Sequence, residues 1–105
     1  MDVTPEKKAL FSKVYDEEHV PMLLKVPGFI SANRMEAVPL VVSIEGENHT
    51  IANEGEPKHT TIFEIEICDV FVSAAWANAV ETGRWPKEVR PHTSNRRHSL
   101  QKVTG

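Results

Sequence analysis

The sequence has little cysteine, no long apolar run and no excess of basic residues. Cys68 is the one cysteine among 105 residues, which excludes an intramolecular disulfide and any multi-cysteine metal site. A reducing, cytoplasmic location is the natural expectation for such a chain. No run approaches the ~18 apolar residues of a membrane helix, and no basic-then-apolar leader is recognisable. We therefore expect no membrane partner.

The charge balance and the missing motifs exclude several functional classes. Lys and Arg number 12 against 15 Asp and Glu, so the formal charge is -3, which argues against a general nucleic-acid binder. The sequence contains no glycine-rich phosphate loop, nucleophile elbow or dinucleotide fingerprint. His49, His59 and His92 lack the spacing of a metal site. We expect no nucleic acid, no metal and no cofactor.

What the sequence does contain is enough apolar material for one folded domain. Residues 1–105 fit a single domain, and 40% of them are hydrophobic. A chain of this length buries roughly two-thirds of the surface that its unfolded form exposes. A core can therefore form without a metal or a disulfide.

The first predicted helix begins at Thr4-Pro5-Glu6, where Thr4 suits the N-cap and Pro5 the first helical position. An apolar stripe with helical spacing follows and consists of Leu10, Phe11, Val14 and Tyr15. Because proline disfavours helical geometry at the residue before it, Pro21 predicts that the helix ends near His19 or Val20.

The middle of the chain reads as strands and a loop. Pro27-Gly28 predicts a turn, and residues 29–35 predict a strand that places Phe29, Ser31, Asn33 and Met35 on one face. Residues 38–44 form a second β-rich run. Residues 45–58 predict a long polar loop, either a functional lid or a simple insertion. Residues 59–67 alternate most clearly and predict a strand.

The remaining third predicts one helix and one strand. Asp69 is a candidate N-cap for a helix through about Thr82, with Gly83 after its end. Residues 97–103 are a candidate last strand. The element order predicts an α+β sandwich. A ferredoxin-like unit needs one more strand before the first helix, and only three residues precede it.

Two segments resemble a known family. Residues 14–21 (VYDEEHVP) and 26–32 (VPGFISA) resemble the helix end, turn and strand of the EthD-like dimeric α/β-barrel proteins. The stretch Gly83-Arg84-Trp85-Pro86 and residues 97–103 are similar to that group's late segment and last strand, so the resemblance covers roughly residues 1–36 and 58–103.

The resemblance implies a ferredoxin-like protomer whose sheet packs on its copy to form a barrel, with the first strand short or missing. Similar barrels act as monooxygenases, isomerases, dehydratases and lyases on aromatic or polyketide-like substrates, and fold alone does not choose among them. Either the true start lies upstream of Met1, or another run fills the slot of the first strand, and residues 38–44 are our candidate for it.

His19 is the leading catalytic candidate. It lies one turn beyond Tyr15 and two turns beyond Phe11, so the three share the inward face of the helix. With a reference pKa of about 6.5, an imidazole can move a proton near neutral pH. Asp16 could fix its tautomer, and Glu18 could act as a further acid or base. The alternative is a helix-end histidine that only caps carbonyls, beside solvated carboxylates.

The other candidates would bind substrate or complete the core. Tyr15 either donates a hydrogen bond to a substrate carbonyl or is a core aromatic with a solvated hydroxyl. Trp85 lines either a ligand pocket or a dimer seam, and Cys68 is expected to be a buried structural thiol. The predicted substrate-binding residues are Phe11, Phe29, Asn33, Phe63 and Trp85.

Three functional hypotheses remain open at this point. The first is a cofactor-independent enzyme, in which His19 shuttles a proton on a small cyclic or aromatic/polyketide-like metabolite. The second is a homodimeric, non-catalytic EthD-like protein that binds a small organic ligand or supports an enzyme of a catabolic or biosynthetic pathway. The third is a shortened gene product that keeps only the fold.

Overall fold

Regular elements alternate with short irregular turns along the chain. A computed structural model describes residues 1–52 and 54–105. The strands are β1 (Asp2–Val3), β2 (Phe29–Glu36), β3 (Leu40–Ile44), β4 (Glu47–Ile51), β5 (His59–Ile65) and β6 (Thr93–Ser94). The α-helices are α1 (Lys8–Val14), α2 (Val20–Leu23) and α3 (Ala74–Ala79). Wider π turns span Tyr15–His19 and Trp85–Val89, and 3₁₀ turns span Pro5–Lys7, Cys68–Val72 and Arg90–His92.

The predicted α+β class is confirmed, with small antiparallel sheets. The described strands pair two by two, as β1 with β6, β2 with β5 and β3 with β4. Backbone hydrogen bonds also join Met1 to His59 in both directions, because the Met1 amino group donates to the His59 carbonyl and the His59 amide donates to the Met1 carbonyl. The residue just before β1 therefore lies beside the first residue of β5.

The first helix starts as predicted at Pro5 but continues past the predicted end. The Thr4 side chain does not cap it and instead donates to the His92 carbonyl at 3.1 Å. The chain passes Pro21 because residues Tyr15–His19 form a π turn, in which the Val20 amide bonds to the Tyr15 carbonyl. The wider turn leaves room for the proline ring, whose missing amide would break an ordinary helix.

A bulge in β2 corrects the predicted faces of that strand. Phe29 pairs with Ile65 and Ser31 with Glu64, so Ile30 is an extra residue. The bulge places Phe29 on the helix-covered face with Arg34 and leaves Asn33 on the opposite face. The prediction that Phe29 and Asn33 share a face is therefore wrong. We call the second face the outer face; it carries Ser31, Asn33, Met35, Thr60, Ile62 and Glu64.

The predicted loop over 45–58 is interrupted by a strand. Residues Glu47–Ile51 form β4, which pairs along its full length with β3. Glu45 and Gly46, both with positive φ (53° and 81°), make the two-residue turn that suits a hairpin. The polar composition of 47–50 concealed the strand. Because β3 pairs with β4 and not with β5, residues 38–44 do not fill the predicted slot of a first strand.

The second helical region differs from the prediction at both ends. Residues Cys68–Val72 form a 3₁₀ turn, and Ser73 rather than Asp69 caps α3, since its hydroxyl accepts from the Trp76 amide at 3.2 Å. The predicted strand over 97–103 is absent from the described residues, where the last strand is β6. The Cys68 side chain is exposed rather than buried.

Two clusters of buried side chains lie beneath the helices. The first contains Phe11, Val14, Tyr15, Trp85 and Val89. The second contains Leu23, Val26, Val70 and Ala79, with Phe29, Phe63 and Trp76 packed against it. Over the described residues, no helix combines the length and apolar character needed to cross a membrane.

Candidate functional site

The π turn holds the His19 side chain against the first core cluster. The residue is 7% exposed, and its ring stacks on Trp85 with centroids 4.4 Å apart and an interplanar angle of 18°. The ring of Tyr15 lies 5.4 Å away. His19 is therefore buried, as its spacing from Phe11 and Tyr15 predicts.

The surroundings of His19 keep its imidazole neutral. Burial is the main cause, and the positive charges of Arg90 and Arg96 add to it, so that the pKa of His19 falls to about 4. Its Nδ1 atom is buried and has no hydrogen-bond partner among the described residues. A neutral imidazole with an unpartnered buried nitrogen can accept a hydrogen bond from a polar group, and it has the protonation state that a general base requires, while its lowered pKa makes it a weak base.

Tyr15 lies within the same cluster, but its hydroxyl is already engaged. The residue is buried, and its hydroxyl shares a hydrogen bond with the Thr61 hydroxyl on β5. Burial raises the pKa of Tyr15 above its usual value, with smaller opposing effects from Thr61 and Arg34. The phenol therefore stays protonated near neutral pH and can serve as a hydrogen-bond donor.

Asp16 points toward β2 rather than toward His19. Both of its carboxylate oxygens accept from Arg34 at 3.0 Å, and Arg34 also donates to Ser12 at 3.2 Å. The Arg34 guanidinium lies 5.3 Å from the centre of the Phe11 ring. Asp16 therefore links the first helical region to the sheet. Among the described residues, the structure shows no contact through which Asp16 could fix the His19 tautomer.

Glu18 connects the π turn to the segment that carries Trp85. Its carboxylate accepts from the Arg84 amide at 3.4 Å and lies 3.8 Å from the Arg84 guanidinium. Arg84 also pairs with Glu88 at 2.9 Å. Glu18 therefore positions the residue next to Trp85, which is the ring that covers His19.

His59 is a component of the site that sequence reasoning missed. It is 5% exposed, its ring lies 4.9 Å from Phe11, and its Nδ1 also lacks a hydrogen-bond partner among the described residues. Burial is the largest cause of the lowered pKa of His59. The two-residue spacing to Thr61 and Phe63 could have placed it on the covered face of β5. We call Phe11, Tyr15, His19, His59 and Trp85 the aromatic site.

The other predicted substrate-binding residues lie elsewhere. Phe29 stacks on Trp76 at 5.5 Å and meets Phe63 edge-on at 5.3 Å, so both phenylalanines belong to the second core cluster. Asn33 is exposed on the outer face of the sheet. The structure brings together Phe11, Tyr15, His19 and Trp85, and it separates Phe29, Asn33 and Phe63 from them.

Rings fill the space beside His19. Phe11 lies 5.2 Å from Tyr15 and 6.0 Å from Trp85, and Tyr15 meets Trp85 at 5.2 Å. Two shallow grooves of about 370 Å³ and 330 Å³ open instead on either side of Pro27, one toward α3 and one toward the 3₁₀ turn before it. Neither groove is lined by a residue of the aromatic site.

No group of three or more His, Cys, Asp or Glu side chains within residues 1–52 and 54–105 is arranged to hold a metal ion. Comparison of the chain with protein-family models, curated proteins and solved structures finds no match.

Proposed function

We propose that this chain is a small EthD-like protein that transfers a proton on a cyclic or aromatic, polyketide-like metabolite without a cofactor. The observation that carries the proposal is the His19 imidazole, which is buried, neutral and unpartnered at Nδ1. In this proposal His19 is the base. Dehydration, isomerisation, decarboxylation and cofactor-free oxygenation all include a proton transfer of this kind.

The strand contacts support a ferredoxin-like protomer. β6 pairs with β1, Met1 pairs with His59 at the start of β5, and β5 pairs with β2. Joined in this order, β6, β1, β5 and β2 give one antiparallel sheet with β1 inside, which is the arrangement that the EthD-like resemblance implies. The same resemblance leads us to propose a homodimer.

The roles of the neighbouring residues follow from their contacts. Tyr15 would turn its hydroxyl from Thr61 to a substrate carbonyl, and Trp85 would stack on a planar substrate ring as it now stacks on His19. Because rings fill the space beside His19, binding would require Trp85 to change its rotamer. Glu18 would guide that movement through its contacts with Arg84.

Exchange of substrate C–H protons with deuterium from the solvent tests the proposal, and it does not require that the natural substrate or pathway be known. A panel of cyclic ketones and 1,3-diketones would be incubated with the protein in deuterated water, and exchange of the acidic C–H protons followed by NMR. His19→Gln should abolish protein-dependent exchange, and Tyr15→Phe should slow it about 10²-fold. His98→Gln, an exposed histidine in the segment after β6, is the control and should leave exchange unchanged. Exchange that survives in His19→Gln would refute the role of His19.

A non-catalytic role is the second candidate, and the filled interior favours it. Phe11, Tyr15 and Trp85 occupy the space where a substrate would sit. On this proposal the protein binds a small organic ligand or supports a partner enzyme. A compound that raises the unfolding temperature of the wild-type protein and of His19→Gln equally, with no exchange in either, would favour the binding protein.

A further inference from the structure

The β3–β4 hairpin has an apolar face that no strand or helix within residues 1–52 and 54–105 covers in full. Pairing places Leu40 opposite Ile51, Val42 opposite His49 and Ile44 opposite Glu47 on one face. On this face, Leu40, Ile44 and Ile51 are each about half exposed. The opposite face pairs Val41 with Thr50 and Ser43 with Asn48. A two-stranded hairpin is marginally stable alone in water, so the apolar face needs a partner surface.

The outer face of the β2–β5 sheet is a second surface of the same kind. Met35 and Ile62 lie on it among polar side chains, and both are substantially exposed, as is Ile30 at the bulge. The helices pack on the other face, through Phe63 and Tyr15. The molecule thus exposes the apolar face of the hairpin and an outer face on which Met35 and Ile62 stand among polar side chains.

The total exposed area shows how much surface a partner would cover. A compact chain of 11.8 kDa exposes roughly 5,900 Å², whereas this chain exposes 7669 Å². The radius of gyration is 16.2 Å, against roughly 13 Å for a compact chain of this length. Residues 96–105, which follow β6 and are exposed, account for part of the excess. The difference of about 1,800 Å² is larger than the ~800 Å² per partner that a standard interface buries.

We propose that the hairpin is an exchange arm in a two-fold dimer of this chain. The apolar face of each hairpin packs on the outer face of the β2–β5 sheet of the other copy. A two-fold axis then repeats the contact, so that one interface covers both apolar faces of both chains. A second copy is the occupant that the structure supports, because each chain presents both of the surfaces that the contact requires. The inference rests on the homodimer of the proposed function and adds the β3–β4 hairpin to the sheet contact that the resemblance implies.

Sedimentation velocity of the full chain at micromolar concentrations tests the arm. Leu40→Glu and Ile44→Glu each place a charge on the apolar face and should raise the dimer dissociation constant at least about tenfold. Val41→Glu is the matched control, because Val41 is 62% exposed on the opposite face of the same strand. It should leave the dimer intact. A wild-type protein that sediments as a monomer, or a dimer that all three variants leave unchanged, would overturn the proposal.

Disulfide trapping identifies the two contacting surfaces and does not depend on the stability of the glutamate variants. In a Cys68→Ser background, chains with Ile44→Cys would be mixed with chains with Ile62→Cys and oxidised. A mixed disulfide between the two kinds of chain is expected. Disulfides only within the Ile44→Cys population would indicate hairpin-on-hairpin packing and would refute the arm. If the protein-dependent exchange of substrate C–H protons persists in such a case, the proton-transfer proposal is unaffected.

Discussion

The buried His19 makes the stability of the protein depend on pH. Its pKa is about 4 in the folded protein and about 6.5 in the unfolded chain. Between these values the unfolded chain binds the extra proton, so the free energy of unfolding falls as the pH falls from about 6.5 to about 4. Stability from this source is complete above pH 6.5, and the loss reaches about 3 kcal/mol near pH 4.

Replacement of the titrating ring isolates this effect. His19→Phe keeps a ring on Trp85 and removes the titration, so it should reduce the loss of stability between neutral pH and pH 5. Urea unfolding at several pH values, followed by tryptophan fluorescence, measures the difference. Two other groups also make stability depend on pH: His59, whose pKa is also lowered, and the Glu81–Arg90 ion pair. Their effects are the same in both proteins and cancel in the difference between the two slopes. An unchanged slope in His19→Phe would show that the imidazole is not buried in solution.

Gly28 occupies a position that a side chain cannot enter without strain. Its φ is +103°, and a Cβ there would lie 3.1 Å from Cγ2 of Val70. Gly28→Ala should lower the free energy of unfolding by about 2–3 kcal/mol. Gly55 also has a positive φ, of +76°, but a Cβ there would meet nothing within 4 Å. Gly55→Ala should therefore cost only about 1 kcal/mol, and equal losses in the two variants would contradict the contact with Val70.

Residue spacing along one helix predicted part of the candidate site. Phe11, Tyr15 and His19 recur every four residues, and the structure brings their rings together. The contribution of His59 was missed because it comes from a strand distant in sequence. Asn33 was misplaced because the bulge at Ile30 is a backbone feature that strict alternation cannot express.

At the scale of elements, α3 has two candidate N-cap residues, Ser73 and Asp69, and their contributions to stability can be compared. The Ser73 hydroxyl accepts from the Trp76 amide at 3.2 Å and donates to the Val70 carbonyl at 2.7 Å. Ser73→Ala should therefore lower the free energy of unfolding by about 1 kcal/mol. Asp69, the cap predicted from the sequence, makes no such bond to the helix.

Thermal unfolding of the two variants measures the difference. Asp69→Ala should change the unfolding temperature little, since the side chain is exposed. A larger loss in Asp69→Ala than in Ser73→Ala would show that the helix begins where the sequence pattern places it and not at Ser73.

Element boundaries could be predicted where a residue acts locally and not where the backbone changes its hydrogen-bond pattern. Pro5 correctly marked the first helical turn. Pro21 wrongly predicted the end of the helix, because a π turn accommodates the ring. Strand β4 escaped detection because its signal is the Glu45-Gly46 turn rather than an apolar pattern.

At the scale of the whole molecule, the α+β class followed from the element order, but the pairing of strands did not. The pairing of Met1 with His59 joins residues 58 positions apart and leaves no periodic trace in the sequence. Our proposal explains the exposure of the hairpin and of the outer face together, because a second copy of the chain would cover both surfaces. Within the single chain, Leu40, Ile44 and Ile62 stay about half exposed.

The predicted strand over 97–103 supplies the last test, because in the structure it contributes little to the fold. Leu100 and Val103 are 65% and 89% exposed, and the ion pair of Arg97 with Glu56 is exposed on both sides. Exposed pairs of this kind are worth less than about 1 kcal/mol. Truncation after Arg97 keeps this ion pair and removes only residues 98–105, so it should change the free energy of unfolding by less than about 0.5 kcal/mol, as measured by urea unfolding. The dimer should also persist in sedimentation velocity, because the proposed contact uses the hairpin and the outer face. A truncated chain that loses the dimer while keeping its fold would place the segment, rather than the hairpin, at the interface.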